Sequence, residues 1–360
     1  MEEKKRSYYI DNLRWMIILL LIPYHTAQAW NTWGETNYIY FHANKLISSI
    51  VVFFSPYIMP IMFVLAGIST RYALQKRSCR EYISERVKRL VVPLIFGTIV
   101  FMPIMTYIAD CFNYSYKGTF IHHYFIFFSK YTDLIGADGG FSLGQFWFLL
   151  YLFLISIVGV GIISFVKKDI KKTVPLWVVV VLGLPLPFLN GLLSVGGKSL
   201  IEYLYLFLAG YYVFSDENVI SILSCYRWLF LSVGLVAAFV NVYLFIWSGK
   251  EYSVLITVIR FVTEWIMILA SLGVGKKMLN QTVSISRYLS SRSFLFFSFH
   301  YIWVVVFQYA LYQIFESKTV ILFCGTIVLS YMATFICCEI AIRIPLLRYL
   351  MGIKNSKAVK

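Results

Sequence analysis

The sequence predicts an all-α, polytopic membrane protein of about ten transmembrane helices with both termini in the cytoplasm. Three observations carry that expectation. The 360 residues are 60% hydrophobic and 14% charged, too apolar for a soluble chain of this length. Apolar runs recur along the whole chain, each near the ~20 residues that a helix needs to cross a bilayer. The basic residues, finally, fall mainly on one side of the resulting topology.

The runs cover 15–31, 46–70, 90–109, 145–166, 173–189, 199–214, 228–247, 253–274, 293–315 and 319–340. With ten crossings, the tail, the even-numbered loops and the C-terminus hold 25 of the 32 Lys and Arg residues, whereas the odd-numbered loops hold 6. That asymmetry puts the N-terminus in the cytoplasm. The net charge of +15 is thereby explained by topology and gives no reason to expect a nucleic-acid partner. The non-membrane stretches are too short for a separate globular domain, so 1–360 reads as one membrane domain. Within it, 1–14 and 341–360 are cytosolic tails, 71–89 is a basic cytosolic loop and 110–144 is the longest outer loop.

The first span opens "RSYYIDNLRWMIILLLIPYHTA". Its basic start and the "AQA" at 27–29 imitate a cleaved secretory signal. Pro23, Tyr24 and His25 are an odd end for a signal core, and cleavage would put the termini on opposite sides, so the segment is expected to stay attached. Arg14 and His25 are eleven positions apart. At ~100° per residue they share a helix face to within about 20°, and they are roughly 16 Å apart along the axis. Asp11 is placed to pair with Arg14, but it lies too far from His25 to orient that ring, so an acid doing so must come from another helix. Pro23 leaves the carbonyl of Leu19 without its helical donor.

After the second span comes "RYALQKRSCREYISERVKR", with seven Lys or Arg. Arg86 and Arg89, three apart on one expected helical face, serve either as a topogenic cluster or as a docking surface for phosphate, which guanidinium binds bidentately. The outer loop ends in "GADGGFSLGQ", a flexible composition. It precedes the aromatic start of span four, where Trp147 is either an interfacial belt residue or a platform for a sugar ring. Glu202 stands near the outer end of span six as a candidate for hydroxyl binding or for orienting a base. In span eight, Arg260 and Glu264 are four apart and expected to neutralise one another. His300, in "SFLFFSFHYIW", lies about a third of the way into span nine from the cytosol, where a polar residue in the same bilayer half as His25 can face a shared cavity. Glu339 and Arg343 form an interfacial pair at the end of span ten. Prolines at 23, 56, 60, 93, 103, 185 and 187 punctuate the spans, which membrane helices tolerate where neighbours satisfy the freed carbonyls. The six cysteines show no C-x-x-C spacing, so no disulfide is expected. His122 and His123 lack a third ligand at a recognisable spacing, so no metal site is expected.

Taken together, these residues resemble the membrane acyltransferase 3 family. "YYIDNLRWMIILLLIPYHT" resembles its R-x10-H signature, carried here by Arg14 and His25 with Asp11 alongside. "FVLAGIST" at 63–70 resembles its second-helix glycine segment, and "RVKRLVVPLIFG" its R-x-x-R motif, Arg86 and Arg89, followed by a proline. "QFWFLLYLF" and "SFLFFSFHYIW" are similar to later landmarks, ending in His300. The opening and "FVLAGISTRYALQKRSCREYI" look most like the branch containing glucan-modifying membrane proteins.

The resemblance implies an integral protein of the cytoplasmic membrane that moves an acetyl or other short acyl group. The donor is a cytosolic acyl-CoA, held by Arg14, Arg86 and Arg89. The acceptor is a hydroxyl of an envelope or exported carbohydrate. The implied partners are the bilayer, the acyl-CoA and the acceptor, with a second copy of the chain or proteins of envelope-glycan synthesis also compatible. No permanently bound cofactor is implied. A hydroxyl is a poor nucleophile at neutral pH, and an imidazole of intrinsic pKa near ~6.5 can take its proton, which makes His25 the expected general base. A covalent acyl-imidazole is the mechanistic rival. The alternative from another functional class is a transporter or flippase of a glycan or lipid-linked substrate, favoured by Arg260, Glu264 and the proline-broken spans.

Overall fold

The computed structural model describes residues 7–134, 136, 140–166, 174–249, 253–316 and 318–353. The basic ends and the lysines of 167–172 lie outside the described residues, as does part of the glycine-rich stretch before span four. In chain order the helices are α1 (Tyr8–Gln28), α2 (Lys45–Phe54), α3 (Ile58–Leu74), α4 (Cys79–Arg86), α5 (Val92–Val100), α6 (Met102–Asn113), α7 (Phe120–Ser129) and α8 (Trp147–Phe165). They continue with α9 (Leu176–Val181), α10 (Leu186–Leu189), α11 (Leu200–Tyr212), α12 (Glu217–Cys225), α13 (Arg227–Val242), α14 (Val254–Met278), α15 (Ser284–Phe315), α16 (Thr319–Arg343) and α17 (Pro345–Leu350). Among the described residues the sheet is limited to a hairpin pairing Ser194–Val195 with Lys198–Ser199. The fold is therefore all-α, and all six cysteines stand as thiols.

Among the described residues, seven stretches are long and apolar enough to cross a membrane: Lys45–Leu74, Cys79–Asn113, Gly144–Phe165, Arg227–Trp247, Val254–Met278, Ser284–Phe315 and Thr319–Arg343. The chain is thus an integral membrane protein. Each of the other three expected spans is helical but fails on one count. α1 has 21 residues, but Asp11, Arg14 and His25 lower its apolarity. Leu176–Leu189 is shorter and interrupted around Pro185, and α11 has only 13 residues.

A proline inside a helix strips one carbonyl of its donor, and hydrocarbon offers no water in its place. The chain meets this demand in two ways. The Tyr331 hydroxyl of α16 donates to the Leu19 carbonyl at 2.7 Å, four residues before Pro23. The Tyr124 hydroxyl of α7 donates to the Ile99 carbonyl at 3.3 Å, four residues before Pro103. Ahead of Pro93 the backbone instead widens into a π turn, Val87–Val91, closed by the Val92 N–H on the Val87 carbonyl.

Contacts divide the chain into two compact units. One comprises Met1–Ile18, Val52–Tyr82 and Ile155–Ser293. Its closest packing is between α3 and α11, where a Cβ on Gly67 would lie 2.0 Å from the Phe207 carbonyl oxygen and one on Gly210 would lie 2.2 Å from that of Val64. Only glycine allows two backbones this close, a recurrent device of membrane helix pairs. Beside it Phe63 and Tyr203 stack at 4.4 Å. The start of α1 is tied down by Asn12, whose side-chain amide donates to the carbonyls of Leu279 and Gln281 just beyond α14.

The other unit comprises Leu19–Val51, Ile83–Leu154 and Phe294–Lys360. Here α5, α6 and α7 pack in sequence. Phe101 sits against Phe146 and Phe299, and the Asn113 amide donates to the Tyr38 carbonyl at 3.1 Å. The stretch 110–144, expected as an outer loop, contains a helix, capped at its start by Thr119 accepting from the His122 N–H.

Candidate functional site

The clearest polar constellation is in the second unit. α1 is helical as far as Gln28 and α15 runs without interruption through 297–301. His25 and His300 therefore project from rigid elements, and their rings lie 5.3 Å apart at a tilt of 35°. Tyr301 stacks on His25 with centroids 3.9 Å apart and an interplanar angle of 22°. Tyr24 meets His25 edge-on, and Tyr38 meets Tyr301 edge-on. An imidazole clamped between aromatic rings has little freedom to turn.

The partner of each ring nitrogen fixes what the other can do. His25 Nδ1 lies 2.7 Å from Gln28 Oε1. With the amide oxygen accepting, Nδ1 carries the proton and Nε2 presents a lone pair. The group at Nδ1 is thus an amide one turn further along the same helix. At i and i+3 the two side chains lie one above the other, and an amide oxygen accepts as a carboxylate does, without its charge. His300 Nδ1 lies 2.7 Å from the Phe297 carbonyl, which can only accept. His300 is wholly buried, and its Nε2 has no hydrogen-bond partner among the described residues. His25, by contrast, is only half-buried. The Gln308 amide fixes the backbone beside it by donating to the Thr26 carbonyl at 3.1 Å.

The remaining expected site residues fall into separate groups. Arg14, in the first unit, donates to the Leu65 carbonyl at 2.9 Å and to the Ser69 hydroxyl, and pairs with Asp11 at 3.4 Å. Both acceptors flank Gly67, so the "FVLAGIST" segment seats this guanidinium. Arg86 ends α4, whereas Arg89 lies in the π turn and pairs with Glu85 at 3.2 Å. Their expected common α-helical face is altered because the turn that accommodates Pro93 begins between them. Trp147 is buried edge-on against Phe148 and Tyr151.

Glu202 is buried at the start of α11, where its N–H is capped by the Ser199 hydroxyl. Glu264 is wholly buried, and neither carboxylate oxygen has a hydrogen-bond partner among the described residues. The expected Arg260 to Glu264 pair is therefore not hydrogen-bonded; the Arg260 guanidinium lies over the Phe261 ring, 5.1 Å from its centre.

Sequence reasoning did not select Gln28, Tyr301, Tyr38 or Ser69. Gln28 was within reach of helical spacing, but a neutral amide carries no charge to mark it as a partner for an imidazole. The other three depend on which helices pack together.

A family model described as an acyltransferase domain matches residues 7–338. No curated protein and no solved structure matches the chain.

Proposed function

Because the chain belongs to the acyltransferase 3 family, we propose that it is a membrane O-acyltransferase. In this reading it moves a short acyl group, acetyl for example, from cytosolic acyl-CoA to a carbohydrate or similar hydroxyl, with His25 as general base. The supporting observation is the half-buried His25 ring, held by Gln28 at Nδ1 and stacked on Tyr301, an arrangement that makes Nε2 the basic atom of this tautomer.

The acceptor oxygen attacks the thioester carbonyl, forming the C–O bond as its proton passes to His25 Nε2. The tetrahedral intermediate expels the CoA sulfur with cleavage of the C–S bond, and the imidazolium returns the proton to the thiolate. Charge builds on an imidazole that already donates through Nδ1 to Gln28, so that hydrogen bond strengthens as the transition state forms. In the same reading Arg86 and Arg89 receive the donor phosphates and Arg14 contributes positive charge to the donor. Ten crossings and cytoplasmic termini belong to this reading, as does location in the cytoplasmic membrane.

The test is transfer from labelled acyl-CoA by purified protein in vesicles. His25→Ala abolishes transfer while the protein still inserts and accumulates, and retained transfer would remove the assigned base. Arg86→Ala and Arg89→Ala weaken acyl-CoA binding; unchanged affinity would leave them a topogenic role only. Label retained on protein denatured before acceptor is added would favour the acyl-imidazole route. The buried Glu264 favours a second reading, as a transporter or flippase. In that case unmodified glycan would cross the vesicle membrane without acylation.

A further inference from the structure

The helix α7 has inverted polarity. At ~100° per residue, Ile121, Phe125 and Phe128 fall within an arc of about 60°, and all three are exposed. The opposite face carries His123 and Phe127, both fully buried. His123 Nε2 meets Asp110 Oδ2 of α6 at 2.8 Å, with Tyr107 and Tyr116 rings edge-on to the imidazole. A helix on an aqueous surface turns polar groups outward and apolar ones inward. Here an ionisable pair is enclosed by protein and three large apolar side chains face out, as expected of a segment bathed in hydrocarbon.

A second observation fixes the depth. Tyr124 reaches the carbonyl of Ile99, which Pro103 deprives of its helical donor. Ile99 lies within the Cys79–Asn113 membrane span and, like Ile95 of the same helix, is exposed. The outward face of α7 thus adjoins exposed apolar residues of α5, a face suited to a spanning helix turned to lipid. No Asp, Glu, Lys or Arg occurs in "FIHHYFIFFS". The one polar ring near the rim, His122, is taken up by the Tyr116 hydroxyl at 2.7 Å. Exposed lysines, Lys117 and Lys130, bracket the helix, a placement suited to anionic headgroups.

We infer that α7 is a re-entrant element whose Ile121, Phe125 and Phe128 are embedded among phospholipid acyl chains, in the leaflet opposite Arg86 and Arg89. Its polar partners are all supplied from α5, α6 and the turn between α6 and α7.

The experiment uses the unaltered protein in phosphatidylethanolamine and phosphatidylglycerol vesicles containing a phospholipid with a diazirine on its acyl chain. After photolysis, trypsin releases Gly118–Lys130 as one peptide. The expected result is lipid adducts on Ile121, Phe125 and Phe128 at a yield comparable to that on the exposed residues of α5. Adducts on α5 with none on this peptide would overturn the inference. So would cross-links from this peptide to a second copy in place of lipid. As a second measurement, a spin label at Ile121→Cys in a background lacking the native cysteines should collide readily with oxygen and poorly with a water-soluble nickel chelate. Free access to the chelate, or no access to either, would refute the placement.

Discussion

Replacing Gln28 with leucine tests the central geometry. The side chain keeps its approximate volume and loses the oxygen that lies 2.7 Å from His25 Nδ1. In the ground state the loss releases the tautomer, and in the transition state it deprives an imidazolium N–H of its acceptor. A hydrogen bond to a charged group contributes about 1.5–3 kcal/mol. At ~1.36 kcal/mol per factor of ten, Gln28→Leu should lower kcat/KM roughly 10- to 150-fold. The Tyr301 stack still holds the ring near its place, so the loss should stay below that of deleting the base, whose contribution is typically about 10²- to 10⁴-fold. The assay is the initial rate of labelled acyl transfer by purified protein in vesicles, with acyl-CoA affinity measured separately and expected to be unchanged. Gln28→Asn, a methylene shorter, should behave as Gln28→Leu does. A folded Gln28→Leu protein within twofold of the parent would refute the assigned tautomer. A loss equal to that of His25→Ala would refute a purely positioning role.

Three further outcomes follow from contacts already described. Tyr331→Phe strands the Leu19 carbonyl and should lower stability by about 0.6–1.7 kcal/mol, read as a fall in unfolding midpoint; an unmoved midpoint would mean that another donor serves it. Gly67→Ala forces a methyl to within 2.0 Å of the Phe207 carbonyl oxygen, so ~1–3 kcal/mol or more of destabilisation should appear as reduced accumulation and an earlier thermal transition. Arg14→Lys keeps the charge but loses the planar fork shared among Leu65, Ser69 and Asp11. It should destabilise the protein by about 1.5 kcal/mol or more and weaken acyl-CoA binding in a direct binding measurement, and parent-like values in both would show that charge alone suffices.

Much of the helical, membrane-spanning character was legible because hydropathy at twenty-residue scale is a direct consequence of bilayer thickness. The pairing of Arg14 with Asp11 was legible for the same kind of reason, since three residues on a helix is a local geometric fact. Proximity of His25 and His300 was accessible only as two polar residues at a similar expected depth; the 5.3 Å separation depends on how α1 and α15 pack. Gln28 was hidden because a neutral amide carries no charge to mark it. The π turn that begins after Arg86 and contains Arg89 was hidden because its cause, Pro93, acts on a carbonyl four residues back. Glu264 is buried with no hydrogen-bonding partner among the described residues while the Arg260 guanidinium lies over the adjacent Phe261 ring, a detail that i, i+4 spacing alone does not specify. The helix in the outer stretch was missed because its glycines and loop composition lie after it, in 136–145.

The hydroxyl of Tyr331 sets a schedule for making the protein. Leu19 leaves the ribosome 312 residues before the tyrosine that completes its bonding. Until the last long helix has been synthesised and inserted, the turn of α1 that leads to the imidazole has a carbonyl without this donor. A nascent chain stalled short of that helix would hold the reactive ring without the support that aims it. Any gene truncation removing the final fifty residues should therefore silence the protein even though every residue of the proposed catalytic cluster is still encoded.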